Sequence, residues 1–163
     1  MAYQKLQTSR ALFVKQGTDS VIIPDPANNY LSGTRTAVGT TSTIVDTSVN
    51  FITAGVKIGD VAMDDTGARA AIITVTATVL TLSAPTFTAA TDPYKLYRNV
   101  NQGCILYINE ITSPATSGSL SIITAGGDTV VYKGVTAGQF LPVQATHWLK
   151  TGTASVGSVI ANW

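Results

Sequence analysis

The feature that most constrains the fold is how the β-branched residues are set out. Thr, Val and Ile recur in short runs, each bounded by a cluster of Gly, Pro, Asn, Asp or Ser. β-Branched side chains are stiff at χ1 and suit a pleated, half-buried surface better than a helix. Short runs of them between turn residues are the signature of strands. No window keeps apolar residues at i, i+3, i+4 and i+7, so an amphipathic helix has nothing to form from. The chain is expected to be all-β.

Turn residues divide the 163 residues into three segments. Residues 1–32 hold a strand-like run, Ala11 to Lys15, and a second, Val21-Ile22-Ile23, stopped by Pro24-Asp25-Pro26. Proline lacks a ladder N–H and restricts the residue before it. Residues 33–99 hold strand runs near Thr41–Val45, Val61–Met63, Arg69–Val75, Val79–Leu82 and Tyr94–Tyr97. Within them Asp46 begins a capped turn and Asp64-Asp65-Thr66-Gly67 a hairpin. Residues 100–163 hold a strand from Gly103, a hairpin across Ala125-Gly126-Gly127-Asp128, a long strand from Phe140 to near Thr151, and a last strand running to Trp163. The first segment is too short to fold alone. The expected architecture is a β-sandwich or jelly-roll-like domain made by residues 1–32 with 100–163. Residues 33–99 are expected as an inserted small β-barrel-like lobe.

Composition bounds the function. Hydrophobic residues make up 45% of the chain and charged residues only 12%, against a usual charged share of about 25%. A core is readily built, and the low charge points to surface that partner chains cover or, alternatively, to a Thr-rich secreted β domain whose surface polarity is carried by hydroxyls. The net charge is +1, and Lys57, Arg69, Lys95, Arg98, Lys133 and Lys150 are scattered singly. A nucleic-acid footprint needs such groups clustered, so none is expected. No stretch approaches the length of a membrane span. Met1-Ala2-Tyr3-Gln4-Lys5 leads into no apolar segment, so no secretory leader is expected and synthesis is placed in a cytoplasm.

Candidate chemistry is sparse. Cys104 lies in the apolar run Cys104-Ile105-Leu106-Tyr107-Ile108 and reads as a small buried hydrophobe. His147 is the single histidine. It has no Gly-x-Ser-x-Gly elbow to serve, and with one cysteine it cannot build a zinc site. Asp60, Asp64 and Asp65 lack the spaced series of a calcium loop and read as turn residues. No opposed carboxylate pair stands out for glycoside hydrolysis. The expectation is a non-enzyme with no catalytic residue, metal or cofactor. The aromatics point to contacts instead. Tyr3 and Leu6 in an N-terminal arm, with Phe140, His147, Trp148 and Trp163 in the third segment, are the expected partner interface. Alternation requires that His147 and Trp148 face opposite ways.

Two stretches carry a resemblance. One is Ala125-Gly126-Gly127-Asp128-Thr129-Val130-Val131-Tyr132-Lys133-Gly134-Val135, continued by Ala137-Gly138-Gln139-Phe140-Leu141-Pro142-Val143, Thr151-Gly152-Thr153-Ala154 and Trp163. The other is Val45-Asp46-Thr47-Ser48, Asn50-Phe51 and Gly55-Val56-Lys57-Ile58-Gly59-Asp60-Val61. The first resembles small virion proteins of tailed bacteriophages, namely capsid decoration (cement) proteins and the head spike-base proteins of phages and gene transfer agents, and the second resembles a small β module that recurs in phage structural proteins. The resemblance implies a homotrimer or higher β assembly on the outer capsid, partnered by the major capsid protein and put together in the host cytoplasm. It implies no catalytic residue. Spike-base relatives often carry a basic residue where His147-Trp148 stands here. The alternative is a spike-base or receptor-binding module that takes a host surface glycan.

Overall fold

The computed structural model describes residues 9–163. Its strands, in chain order, are β1 (Ala11–Lys15), β2 (Asn29–Thr34), β3 (Thr43–Val45), β4 (Val61–Asp64), β5 (Arg69–Val75), β6 (Val79–Leu82), β7 (Pro93–Tyr97), β8 (Cys104–Ile111), β9 (Gly118–Thr124), β10 (Thr129–Val135), β11 (Phe140–Ala154) and β12 (Val156–Asn162). A 3-10 turn, Pro26–Asn28, is the one helical element among the described residues. The chain is all-β, as its β-branched runs predict.

The strands form two six-stranded sheets, ordered β1-β12-β8-β11-β9-β10 and β2-β7-β4-β5-β6-β3. Every ladder is antiparallel. Residues 11–15 and 104–162 build the first sheet, and residues 29–97 the second. The barrel-like closure expected of the insert does not form as a ladder. Among the described residues none joins β2 to β3. Their ends touch through Thr36, whose N–H reaches Val45 O at 2.8 Å and whose Oγ1 accepts from Thr47 N–H at 2.8 Å.

Two expectations shift. The chain enters the second sheet at Asn29, before the turn at Gly33, because the Asp25 carboxylate accepts from Ala27 N–H at 2.8 Å and turns the chain early. Asn29, Leu31 and Ser32 then pair with β7. Val21–Ile23 forms only an isolated bridge, Ile22 to His147, for Pro24 ends the run before a ladder can grow.

Each sheet has a buried core cluster of its own. Val14, Leu106, Ile108, Leu120, Ile122, Trp148 and Val159 fill the first, and Ile44, Phe51, Ile72, Leu80, Phe87 and Leu96 the second. A smaller cluster of Val21, Val61, Met63 and Tyr97 lies under the first segment. Between the sheets stands Arg69 of β5, 1% exposed. Its Nε donates to Ile22 O at 3.1 Å and its Nη1 to Lys15 O at 3.0 Å. Its Nη2 reaches Val21 O at 3.5 Å and Trp148 O at 3.4 Å. One side chain of the second sheet is thus tied to the first segment and to β11. A Cβ at Gly17 would lie 3.0 Å from its Nη1, so the backbone closes tightly over the cation.

Candidate functional site on the outer face of the first sheet

Residues directly opposite each other on paired strands share a face. Phe13 stands opposite Ile160, Ile160 opposite Tyr107, and Tyr107 opposite Phe140. The neighbours Val14, Val159, Leu106 and Leu141 are buried in the core, so alternation sends this row outward. It crosses β1, β12, β8 and β11. Phe13 is 40% and Phe140 55% exposed. The Tyr107 and Phe140 rings sit 4.9 Å apart, tilted by 58°, a favourable aromatic contact. At the far end of the sheet, β10 is an edge strand. It carries exposed Lys133 and a bulge between Lys133 and Val135, features that discourage edge pairing. Contact through the face is therefore better provided for than contact through that edge.

A second row lies two residues along on β1, β12 and β8 and, across a register shift, four along on β11: Ala11, Asn162, Ile105 and Gln144, paired in turn. This row borders a cleft of about 630 Å³ where the chain passes between sheets. Trp163 lines it, with its indole Nε1 donating to Asn101 Oδ1 at 3.2 Å. Asn101 is itself fixed, donating to Ile23 O at 2.7 Å and accepting from Gly103 N–H at 2.7 Å. Asn28 donates to Val100 O at 2.7 Å, and Asn162 to Ile160 O at 3.0 Å. Arg10 and Asp25 pair across one side at 3.5 Å.

The expected interface residues divide. Phe140 lies in the outer row and Trp163 at the cleft. Tyr3 and Leu6 fall outside the described residues. Trp148 is a correction: it has 0% exposure and packs in the first core, so no partner can touch it. β11 turns that face inward, and its Nε1 finds Thr153 Oγ1 at 3.3 Å. His147 is half-buried with Nδ1 3.0 Å from Thr146 Oγ1. Burial, and then the charge of Arg69, push its pKa below the ordinary 6.5. Sequence reasoning missed Phe13, Tyr107, Ile160, Gln144 and Asn162, which become one surface only through register. The alternation in Cys104–Ile108 was their one visible signal.

Most other charged side chains near the cores are engaged in structure, Asp60, Asp64 and Asp46 among them. Asp60 Oδ2 accepts from Tyr30 Oη at 2.7 Å and Arg98 Nη1 at 2.8 Å, with the Arg98 guanidinium 3.6 Å from the Tyr30 ring centroid. Burial, reinforced by the bond to Asp60, raises the Tyr30 pKa. Asp64 Oδ1 accepts from Thr66 N–H at 2.9 Å and Ala68 N–H at 2.8 Å, a turn and not a ligand array. Asp46 accepts from Ser48 and from Tyr94 Oη at 2.7 Å. Burial pushes its carboxyl up, and these bonds outweigh it and hold the pKa below 3.8. Cys104 is buried, which pushes its thiol up to about 12. Among the described residues no three His, Cys, Asp or Glu side chains gather as a metal site, and no helix is long and apolar enough to cross a membrane. Comparison with protein-family models, with curated proteins and with solved structures finds no match to this chain.

Proposed function

We propose that the chain is a structural protein of a virion, a capsid decoration (cement) protein on the outer head of a tailed bacteriophage. The observation that carries the reading is the in-register row Phe13–Ile160–Tyr107–Phe140, an apolar strip left at the surface of a chain whose charged fraction is 12%. Exposed apolar surface of this kind marks a contact site. The family resemblance gives the partner, the major capsid protein, and the homotrimeric state. The mechanism is additive: each copy buries apolar and hydroxyl-rich surface across a capsomer junction, and many copies together oppose internal pressure.

The test is co-sedimentation of purified protein with expanded capsids, beside sedimentation equilibrium of the protein alone. A trimer that saturates capsids supports the reading. Phe140 is 55% exposed before any contact, so covering the exposed part of a ring worth about 1.5–3 kcal/mol when fully buried contributes roughly 0.8–1.6 kcal/mol, and Phe140→Ser should lower affinity about four- to fifteenfold. A stable monomer that leaves expanded capsids bare would overturn it.

A further inference from the structure

We propose that the free edge of β2 is a self-association surface, to which a second copy of the chain adds its own β2, antiparallel, about a two-fold axis at Gly33. The ladder to β7 fixes which groups face outward. Arg35 N–H donates to Asp92 O at 3.1 Å, in the register that pairs Thr34 with Pro93, Gly33 with Tyr94 and Ser32 with Lys95. Hydrogen-bonded and non-hydrogen-bonded pairs alternate along an antiparallel ladder. Gly33 therefore bonds to Tyr94, and the N–H and C=O of Ser32 and Thr34 point away from β7. Among the described residues none of these four groups has a hydrogen-bond partner.

The other three sheet edges are covered or guarded. On β1, Lys15 N–H is spent on Gly67 O at 3.1 Å and Lys15 O on Arg69 Nη1 at 3.0 Å. On β3, Val45 O is taken by Thr36 N–H, and Gly39 packs against Thr43 and Val45. β10 has Lys133 and its bulge. β2 carries no charged residue and no proline, the devices that normally keep an edge unpaired.

The occupant follows from the register. A two-fold at Gly33 sets Ser32 opposite Thr34 of the second copy, and Thr34 opposite its Ser32. Both become hydrogen-bonded pairs, and all four outward groups of each copy are used. Centring on Ser32 would bring in Tyr30, where β2 shifts register, and centring on Thr34 would need Thr36 N–H, already given to Val45 O. Ser32 and Thr34 are exposed and meet as hydroxyl pairs, which favour cross-strand contact. The Gly33 backbones take the close non-hydrogen-bonded position with no side chain between them. Charge does not oppose the pairing. Lys95, level with Ser32, would lie about 16 Å from its counterpart at about 4.8 Å between strands and 3.4 Å per residue, beyond the Debye length of roughly 8 Å. Arg35 is buried, with its guanidinium given to Ala89 O and Thr40 O. A two-fold contact cannot close a three-membered ring, so this seam is separate from the homotrimer of the assembly reading and from the outer row.

The experiment is oxidative cross-linking of the whole chain carrying Ser32→Cys, Thr34→Cys, or an equal mixture of the two, with Cys104 buried out of reach. Across the seam the unlike cysteines stand about 5.5 Å apart at Cα, inside the disulfide range, whereas like cysteines are diagonal neighbours about 7–8 Å apart and outside it. The mixture should give at least about five times the disulfide-linked dimer of either form alone. In sedimentation velocity the smallest wild-type species should double in mass as concentration rises. Thr34→Lys, altered at an exposed position, should keep the wild-type melting curve and need at least about fivefold more protein for that doubling. Phe140→Ser should leave the cross-link yield unchanged, so failure of the seam and failure of the capsid contact read out separately. Equal yields in the three samples, no cross-link in the mixture, or doubling that Thr34→Lys does not shift would overturn the proposal.

Discussion

Arg69 offers the sharpest test of how the two sheets are held together. Burial lowers its pKa from 12.5 to about 10. At about 1.4 kcal/mol per pH unit, enclosing the charge costs roughly 3 kcal/mol. Two of its bonds are well formed, to Ile22 O at 3.1 Å and to Lys15 O at 3.0 Å, and the two from Nη2 are long. A hydrogen bond from a charged donor returns about 1.5–3 kcal/mol, so these two together offset the burial cost or exceed it by up to about 3 kcal/mol. The cation's larger effect appears when it is removed. Arg69→Met ends the burial cost but leaves two partly buried carbonyls without their donor, at about 1–3 kcal/mol each. The expected net loss is about 2–6 kcal/mol, read from urea unfolding followed by far-UV circular dichroism and tryptophan fluorescence. Arg69→Lys should be no better than Met. A compact ammonium cannot span carbonyls on separate segments as a planar fork does. Wild-type stability in Arg69→Met, or full rescue by Arg69→Lys, would refute the reasoning.

The other predictions concern single sites. His147 has a folded-state pKa below its unfolded value of 6.5. The unfolded chain therefore takes up the proton first, and stability should fall as pH drops below about 6.5 until the folded-state pKa is passed. His147→Gln should flatten that part of a denaturation-against-pH curve, while losses at still lower pH, from carboxyls such as Asp46 and Asp92 held below 3.8, should remain. A Cβ on Gly33 would lie 2.5 Å from Tyr94 Oη, so Gly33→Ala should cost about 1–3 kcal/mol by overpacking, seen as a lower melting temperature. Cys104, buried with its thiol near 12, should resist alkylation in native buffer and react at once in denaturant. Rapid native labelling would contradict its placement.

The legible part of this fold was its local grammar. Asp64-Asp65-Thr66-Gly67 turns as its residues demand, and Ala125–Asp128 joins β9 to β10. Alternation and turn chemistry act over a few residues and leave a direct trace in sequence. Arg69 left none, because its acceptors are backbone carbonyls, which every residue carries. Register was equally hidden. The bulges within β11, between Phe140 and Gln144 and again between Ala145 and His147, decide which side chains meet across strands. Trp148, expected at a contact surface because it is a large aromatic, lies opposite Ile122 and is buried with it in the core. Phe140 and Trp163 were visible as candidates because large aromatics stand out, whereas Asn162 and Gln144 acquire meaning only beside them.

The place of β12 has a consequence for the order in which the protein takes shape. β12 lies between β1 and β8, and β1 has no other ladder among the described residues. On the ribosome, β1 emerges early and must wait for residues 156–162. The second sheet, contiguous from residue 29 to 97, can close well before then. Synthesis thus yields a folded lobe that carries an unpaired strand with Leu12 and Val14 uncovered. Such an intermediate is prone to associate with its neighbours, and a chain with 12% charged residues has little repulsion to prevent it. Yield in the cell should therefore depend on how fast the last strand is delivered more than on the stability of the finished molecule.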